Sequence, residues 1–166
     1  MMHAETRQGH IAVCISKKVF QLHWVDMDTG CIERLQLKRA KLLNWFASRT
    51  AALVVMEARG GAHDWGRGLM GLGPEVRLIS PGKVRPFVQR NKTDAADARA
   101  IWTACRQPGM RFGPVKSEAQ QIVLSLRAQL MKTRIMQTNE LRGVLYEFGI
   151  VLPGGHAALL KALAAC

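Results

Sequence analysis

Short apolar and alternating segments open the chain and predict a β-meander. The segments HIAVCI at 10–15 and VFQLHWV at 19–25 are rich in β-branched and aromatic residues, and the polar residues 16–18 separate them. A turn signal, DTG at 28–30, precedes CIERLQL at 31–37, in which apolar and polar residues alternate. We therefore expect three consecutive antiparallel strands.

The pattern then changes to strands that alternate with helices. Apolar residues recur at helical spacing in 39–49, whereas AALVVME at 51–57 and EVRLIS at 75–80 are typical of buried strands. A helix is predicted at about 62–72, and three glycines should weaken it: Gly66, Gly68 and Gly71. This succession predicts an α/β fold of the ribonuclease-H-like type, a mixed sheet with helices on both faces.

Two further helical segments follow the last predicted strand. Thr93 can cap a helix that carries Asp94 and Asp97 in its first turns and ends before the Pro-Gly pair at 108–109. A longer helix is predicted over 117–148, with apolar residues at irregular steps of three to six positions. We expect this segment to form a helical hairpin or a coiled-coil arm.

The charge of the chain favours a polyanionic partner. Its 24 Lys and Arg residues against 12 Asp and Glu residues give a net charge of +12. Nucleic acid is the leading candidate, ahead of a ribosomal or membrane-surface partner. Basic residues outnumber acidic ones from 83 to 116, which indicates either a groove along a nucleic-acid backbone or an ordinary solvated surface. They are Lys83, Arg85, Arg90, Lys92, Arg99, Arg106, Arg111 and Lys116.

Two other compositional features exclude function classes. The four cysteines lie far apart without a C-x-x-C pair, so they indicate reduced thiols rather than a zinc site. Neither a signal peptide nor an apolar segment of membrane-spanning length is present in the sequence. We expect a cytoplasmic protein without a membrane partner.

The chain has only 12 acidic residues, and three of them occupy positions where they could bind a metal ion. Glu57 ends a predicted buried strand, where it either binds a metal ion or simply meets solvent. Asp94 and Asp97 share one face of a helix, where they either bind metal or compensate the helix dipole. Nucleases and transposases with a ribonuclease-H-like fold cleave phosphodiesters with two divalent cations, which clustered carboxylates bind.

Several long strings resemble one transposase family. They are SKKVFQLHWVD, VVMEARGGAHDW, EVRLISPGKVRPFVQRNKTDAADARAI, MRFGPVKSEAQQ and ELRGVLYEFGIVLPGG. The chain is similar to the DEDD insertion-sequence transposases of the IS one-ten family, whose N-terminal domain resembles the RuvC junction resolvase. The resemblance runs from about residue 10 to the end of the chain, in the order of the family.

The resemblance implies an architecture and a set of partners. It implies a RuvC-like DEDD nuclease domain over 8–112 and a helical coiled-coil arm over 117–166, and we expect the chain to stop before the catalytic serine domain of the family. It also implies Mg²⁺ or Mn²⁺ as the cofactor, DNA as the substrate, a structured bridge RNA as a possible guide, and self-association through the arm. Lys17 and Lys18, after the first strand, either contact phosphate or mark a turn.

Three of the four acidic positions of the family are matched. Glu57, Asp94 and Asp97 match the second, third and fourth, and the resemblance implies that they are catalytic metal ligands. Cys14, in VCISK, occupies the position where the family has aspartate in strings such as I-D-V-S-K. Cysteine is a soft, neutral ligand at pH 7, whereas magnesium prefers oxygen, so this exchange should weaken metal binding.

These departures lead to two expectations about activity. Asp26 and Asp28 lie near the far end of the second predicted strand, so neither is expected to replace the missing carboxylate. We therefore expect a transposase domain that is inactive alone. The alternative is a non-enzymatic RNA- or DNA-binding remnant that self-associates through its arm.

Overall fold

The fold is taken from a computed structural model, which describes residues 8–49, 51–88 and 93–164. The described residues divide into two units, with the boundary between Ser117 and Glu118. The first unit contains a five-stranded sheet with its helices, and the second contains two helices. Each unit is described by itself.

The sheet of the first unit is mixed. Its strands are β1 (Gln8–Ile15), β2 (Val19–Val25), β3 (Ile32–Lys38), β4 (Ala51–Glu57) and β5 (Glu75–Ile79). They lie in the order β3-β2-β1-β4-β5, with β1, β2 and β3 antiparallel to their neighbours in the meander and β1, β4 and β5 parallel to one another. The predicted meander and the two later strands are confirmed.

The helices of the first unit alternate with β4 and β5 and then close the unit. They are α1 (Leu42–Ala47), α2 (Ala62–Met70), α3 (Pro81–Val84) and α4 (Asp94–Cys105), with 3₁₀ turns at Arg39–Lys41 and Arg85–Phe87. The α4 helix begins as predicted, because the Thr93 hydroxyl accepts a hydrogen bond from the Ala96 amide at 3.2 Å.

Two hydrophobic cores lie on opposite faces of the sheet. Ile11 and Val13 of β1 belong to the core that α1 and α2 cover, which we call the α2 face. Ala12 and Cys14 belong to the core that α3 and α4 cover, which we call the α4 face. This alternation is the two-residue period of a strand buried on both sides. The predicted mixed sheet with helices on both faces is therefore confirmed.

The glycines of α2 have a packing role that the sequence did not reveal. A Cβ atom at Gly66 would lie 2.8 Å from Cγ2 of Val115, and one at Gly68 would lie 3.3 Å from a methyl carbon of Leu43. The helix therefore forms at glycine positions that let neighbouring segments approach closely, which offsets the cost of glycine in a helix.

The second unit consists of α5 (Glu118–Glu147) and α6 (His156–Ala164). The long predicted helix is thus present, with 30 residues, none of which is buried. The Arg142 guanidinium donates hydrogen bonds to the carbonyls of Pro153 and Gly155, at 3.2 and 2.9 Å, and so fixes the turn before α6. Among the described residues, no helix has both the length and the apolar character needed to cross a bilayer.

Candidate functional site

The parallel strands end together at one edge of the sheet, which we call the carboxyl edge. Val13 of β1 is aligned with Met56 of β4, so Cys14 and Glu57 are the next residues on adjacent strands. Glu57 is in turn aligned with Ile79 of β5. In α/β sheets, ligands bind outside the carboxyl ends of the strands. The structure thus brings two of the four predicted site positions to the edge where a site is expected.

The N-terminal turn of α4 brings the aspartates to the same region. Asp97 is buried, with 5% of its side chain exposed, and its backbone amide donates to the Thr93 carbonyl at 2.9 Å. Asp94 lies one turn earlier and is exposed. Ala98, next to Asp97, belongs to the same core as Cys14. Helical spacing predicted that the two aspartates share a face, but only Asp97 points into the protein.

Burial and the nearby acidic residues change the pKa of the Cys14 thiol. Burial, followed by the charges of Asp97 and Asp94 and then by that of Glu57, raises the pKa of the Cys14 thiol to about 12, and the positive charge of Arg59 acts in the opposite direction. The thiol is therefore protonated and neutral at pH 7. We call Cys14, Glu57, Asp94 and Asp97 the acidic cluster, because each carboxylate acts electrostatically on this thiol.

Arg59 is a member of this neighbourhood that the sequence did not single out. Its Nε atom lies 2.7 Å from Oε2 of Glu57, the distance of an ion pair, although the angular geometry is not that of a hydrogen bond. Burial disfavours the charged guanidinium, but the contact with Glu57 and the charge of Asp97 raise its pKa. Glu57 is 4% exposed, so its charge is balanced inside the protein by Arg59.

The donor set can be compared with the cations that the family resemblance implies. Asp97 Oδ1 is buried without a hydrogen-bond partner, which is costly unless a cation or water satisfies it. The carboxylates of Glu57 and Asp97 are the hard oxygen ligands that Mg²⁺ and Mn²⁺ prefer, but the Cys14 thiol is not. Within the described residues, no three His, Cys, Asp or Glu side chains form a group that could hold a metal ion.

Asp26 is committed to a turn at the other edge of the sheet. Its Oδ1 atom accepts hydrogen bonds from the amides of Asp28 and Thr29, both at 2.9 Å, and these bonds lower the pKa of Asp26. Because β2 runs antiparallel to β1, the end of β2 lies opposite the carboxyl edge. Neither Asp26 nor Asp28 therefore takes the place of the carboxylate that is missing at Cys14.

Some of the predicted basic residues follow strands that end at the carboxyl edge. Lys17 and Lys18 are exposed in the turn between β1 and β2. Lys83 and Arg85 follow the end of β5, and the Lys83 ammonium donates to the Arg111 carbonyl at 3.0 Å. Two predicted nucleic-acid contacts lie outside the described residues: Arg90 and Lys92. The carboxyl edge thus carries exposed bases beside buried acids.

Two other features lie away from the acidic cluster. His63 of α2 accepts a hydrogen bond at Nδ1 from the Lys116 amide at 3.1 Å, so it anchors the segment before the second unit. A cleft of about 630 Å³ lies between the start of β5 and residues 110–114. Parallel strands begin at the edge of the sheet opposite the carboxyl edge. This cleft is therefore remote from the acidic cluster.

The known proteins that the chain resembles are named as transposases. No protein-family model matches the chain. The chain is 45% identical over 159 residues to a Pseudomonas aeruginosa protein named "Probable family 20 transposase", covering 93% of this chain and 47% of that protein. It is 42% identical to the transposase for insertion sequence element IS1111A of Coxiella burnetii, covering 87% of this chain and 41% of that protein.

A further relative extends the comparison. The chain is 37% identical over 154 residues to the transposase for insertion sequence element IS1328 of Yersinia enterocolitica, covering 91% of this chain and 46% of that protein. The chain therefore spans about half the length of the curated relatives that it matches.

Proposed function

The chain belongs to the insertion-sequence transposases of the IS one-ten type, and from this membership we propose that it is their N-terminal, DNA-binding domain. We further propose that the domain is ribonuclease-H-like, of the RuvC type. The five-stranded mixed sheet with helices on both faces supports this assignment. In that fold the catalytic carboxylates come from the first strand, the end of the fourth strand and the last core helix.

One observation carries the proposal. Three of the four positions that match the acidic residues of the family, Cys14, Glu57 and Asp97, are buried on the α4 face at the carboxyl edge. A buried carboxylate oxygen of Asp97 without a hydrogen-bond partner is a further sign of a ligand-binding role. Buried acids are uncommon in proteins unless they are paired or bind metal.

The role that the family resemblance implies for an intact site of this kind is metal-dependent cleavage of a phosphodiester. Bound divalent cations would stabilise the attacking and leaving oxygens of the displacement. Glu57 and Asp97 would hold these cations, with Asp94 contributing from the exposed side of the first turn of α4. Lys17 and Lys18 would bind the phosphate backbone beside them.

We propose that the site is inactive in this chain. Cys14 is neutral where the family has a carboxylate, and its raised pKa keeps it protonated at neutral pH. Arg59 neutralises Glu57 in addition. Two of the four family positions therefore contribute no free negative charge, which lowers the electrostatic attraction for a divalent cation.

A second candidate function is nucleic-acid binding without cleavage. It is favoured by the same charge balance, because Arg59 balances the charge of the buried Glu57 without metal. Binding of nucleic acid does not need the carboxylate that is missing at Cys14. It needs positive charge, which the net charge of +12 and the exposed bases at the carboxyl edge provide. In this case the domain would bind DNA or a structured guide RNA and pair with another copy through α5.

Titration with Mn²⁺ separates the two functions. Isothermal titration of the wild-type chain and of Cys14→Asp at neutral pH should show uptake only in the variant, because the restored carboxylate completes the cluster. Cys31→Asp is the matched control, since Cys31 is exposed and lies outside the cluster. It should behave like the wild type.

Each other result has a definite meaning. If Cys14→Asp remains folded and binds no Mn²⁺, the assignment of a metal site is wrong. Uptake by the wild-type chain would show that Glu57, Asp94 and Asp97 suffice, and would contradict the proposed inactivity. Thermal melting with and without Mn²⁺ tests folding, because the buried carboxylate that Cys14→Asp introduces should lower the melting temperature only in the absence of the cation.

A further inference from the structure

The edge strand β3 has one face that belongs to neither core. Leu35 and Leu37 pack against the core of the α2 face. The alternate residues Arg34, Gln36 and Lys38 lie on the α4 face, because Arg34 is paired with His23, which contacts Trp102 of α4. All three are exposed. We call these three residues the β3 shelf.

A small cleft adjoins the β3 shelf. Arg34 lines it from β3 and Arg99 lines it from α4, and the remaining wall consists of Phe87, Thr93, Ala95 and Ala96. Its volume of about 200 Å³ is below the range of roughly 300–1,000 Å³ that is usual for pockets for small organic ligands. The cleft therefore suits a compact anionic group, such as one phosphate of a longer polymer.

Neither arginine of the cleft forms an ion pair with an acid in the described part of the chain. The ion pairs among the described residues involve Arg59, Arg67 and Arg77, but neither Arg34 nor Arg99. The field of the latter two reaches into the core: burial, and then the charges of Arg34 and Arg99, lower the pKa of His23 to about 4. Unbalanced arginines that face a cleft are typical of phosphate recognition.

The β3 shelf leads to the acidic cluster. β3 runs parallel to β1, and Lys38 is paired with Val19, directly after the turn that contains Lys17 and Lys18. The distance from Arg34 to Lys38 along the strand is about 13 Å, enough for more than one phosphate. Thr93 of the cleft caps the helix that carries Asp97. A polyanion on the β3 shelf would thus arrive at the carboxyl edge.

We propose that the β3 shelf, with the cleft between Arg34 and Arg99, binds the sugar–phosphate backbone of a single-stranded nucleic acid and directs it to the acidic cluster. Phe87 lines the same cleft and offers a surface on which a base can stack. The inference rests on the proposed function, because it names the side from which a strand enters that site. It adds Arg34 and Lys38 to the bases predicted from the sequence, among which Arg99 was already named.

Fluorescence anisotropy with labelled oligonucleotides tests this inference. The probes are a single-stranded DNA, an RNA of the same sequence and the DNA duplex, each titrated at several salt concentrations. The double variant Arg34→Gln/Arg99→Gln should bind both single strands at least tenfold more weakly at low salt. The slope of log K against log salt should fall by about 1.4, since each lost phosphate contact on a single strand contributes about 0.7.

The matched control is Arg49→Gln/Arg127→Gln, which removes the same charge. Arg49 lies over the ring of Trp45 at 4.2 Å and Arg127 is exposed in α5, and neither residue lines the cleft or belongs to the β3 shelf. This variant should retain at least half of the wild-type affinity. Thermal melting of both variants establishes that each is folded.

The outcomes distinguish the inference from the proposed function. An equal loss in the two double variants would show that only total charge matters and would overturn the inference while nucleic-acid binding stands. A loss confined to the duplex would overturn it as well. Failure of the wild-type chain to bind any probe would overturn the proposed function itself. Stronger binding of the DNA strand than of the RNA strand would identify DNA as the preferred occupant of the β3 shelf, and the reverse order would identify RNA.

Discussion

At the scale of single residues, charge balance decides what the acidic cluster does without a cation. An aspartate at position 14 would place a third buried carboxylate beside Glu57 and Asp97, and one arginine could not neutralise all of them. A neutral thiol reduces that repulsion, and Arg59 then offsets Glu57. The substitution at Cys14 and the ion pair of Arg59 therefore act in the same direction, because both stabilise the cluster without metal.

His23 gives the molecule a defined sensitivity to acid. Burial and the charges of Arg34 and Arg99 lower its folded-state pKa from 6.5 to about 4, and its ring packs against Trp102 at 5.5 Å. The unfolded chain therefore takes up a proton at a higher pH than the folded chain. The stability that neutral His23 contributes is complete above pH 6.5 and is lost as the pH falls towards 4.

We predict that His23→Phe makes the chain less sensitive to acid. Between pH 6.5 and pH 4, the unfolding free energy of the wild type should fall relative to that of the variant by about 1 kcal/mol for each pH unit. The upper limit is about 1.4 kcal/mol, the free energy that corresponds to one pKa unit. Urea denaturation at a series of pH values measures this difference. A difference that is constant with pH would contradict the assignment to His23.

At the scale of elements, α2 depends on a close approach that only glycine permits. We predict that Gly66→Ala destabilises the chain by about 1–3 kcal/mol, because the new methyl group would lie 2.8 Å from the short, stiff side chain of Val115. Urea denaturation gives the change. Gly143→Ala in α5 is the control: nothing lies within 4 Å of its Cβ position, so it should be neutral or stabilise by up to about 1 kcal/mol. Stabilisation by Gly66→Ala would refute the packing argument.

The elements were predictable where local periodicity determines them. The β-meander, the strand that ends at Glu57 and the helix capped by Thr93 all follow from two-residue or helical periods and from one capping residue. The helical period alone does not show that Asp97 is buried and Asp94 is exposed. That difference depends on how α4 packs on the sheet.

Contacts between distant segments were not predictable in this way. Gly66 contacts Val115, and His63 accepts the hydrogen bond of the Lys116 amide, because the segment before the second unit passes along α2. The ion pair between Arg59 and Glu57 requires a turn after β4 that directs the guanidinium back to the strand end. The sequence identified the acidic positions, but the tertiary structure was needed to identify the cation beside them.

At the scale of the whole molecule, the second unit carries many exposed apolar side chains. The exposed apolar side chains of α5 include Val123, Leu126, Leu130, Leu141 and Val144, and exposed Phe148 follows directly after the helix. Their spacing of three, four and eleven residues keeps them close to one stripe of the helix. Exposed apolar area costs about 25 cal/mol for each Å². A stripe of this length is typical of a helix that packs against a partner helix.

We predict that the chain self-associates through this stripe. Sedimentation velocity between about 1 and 100 μM should show a concentration-dependent dimer or larger species for the wild-type chain, and Leu126→Glu/Leu130→Glu should be monomeric because charge is then placed in the apolar contact. Ser125→Glu/Gln129→Glu adds the same charge at exposed polar positions one step around α5 and should still associate. A wild-type chain that stays monomeric at the highest concentration would exclude self-association, and dissociation in both variants would mean that net charge, not the stripe, controls assembly.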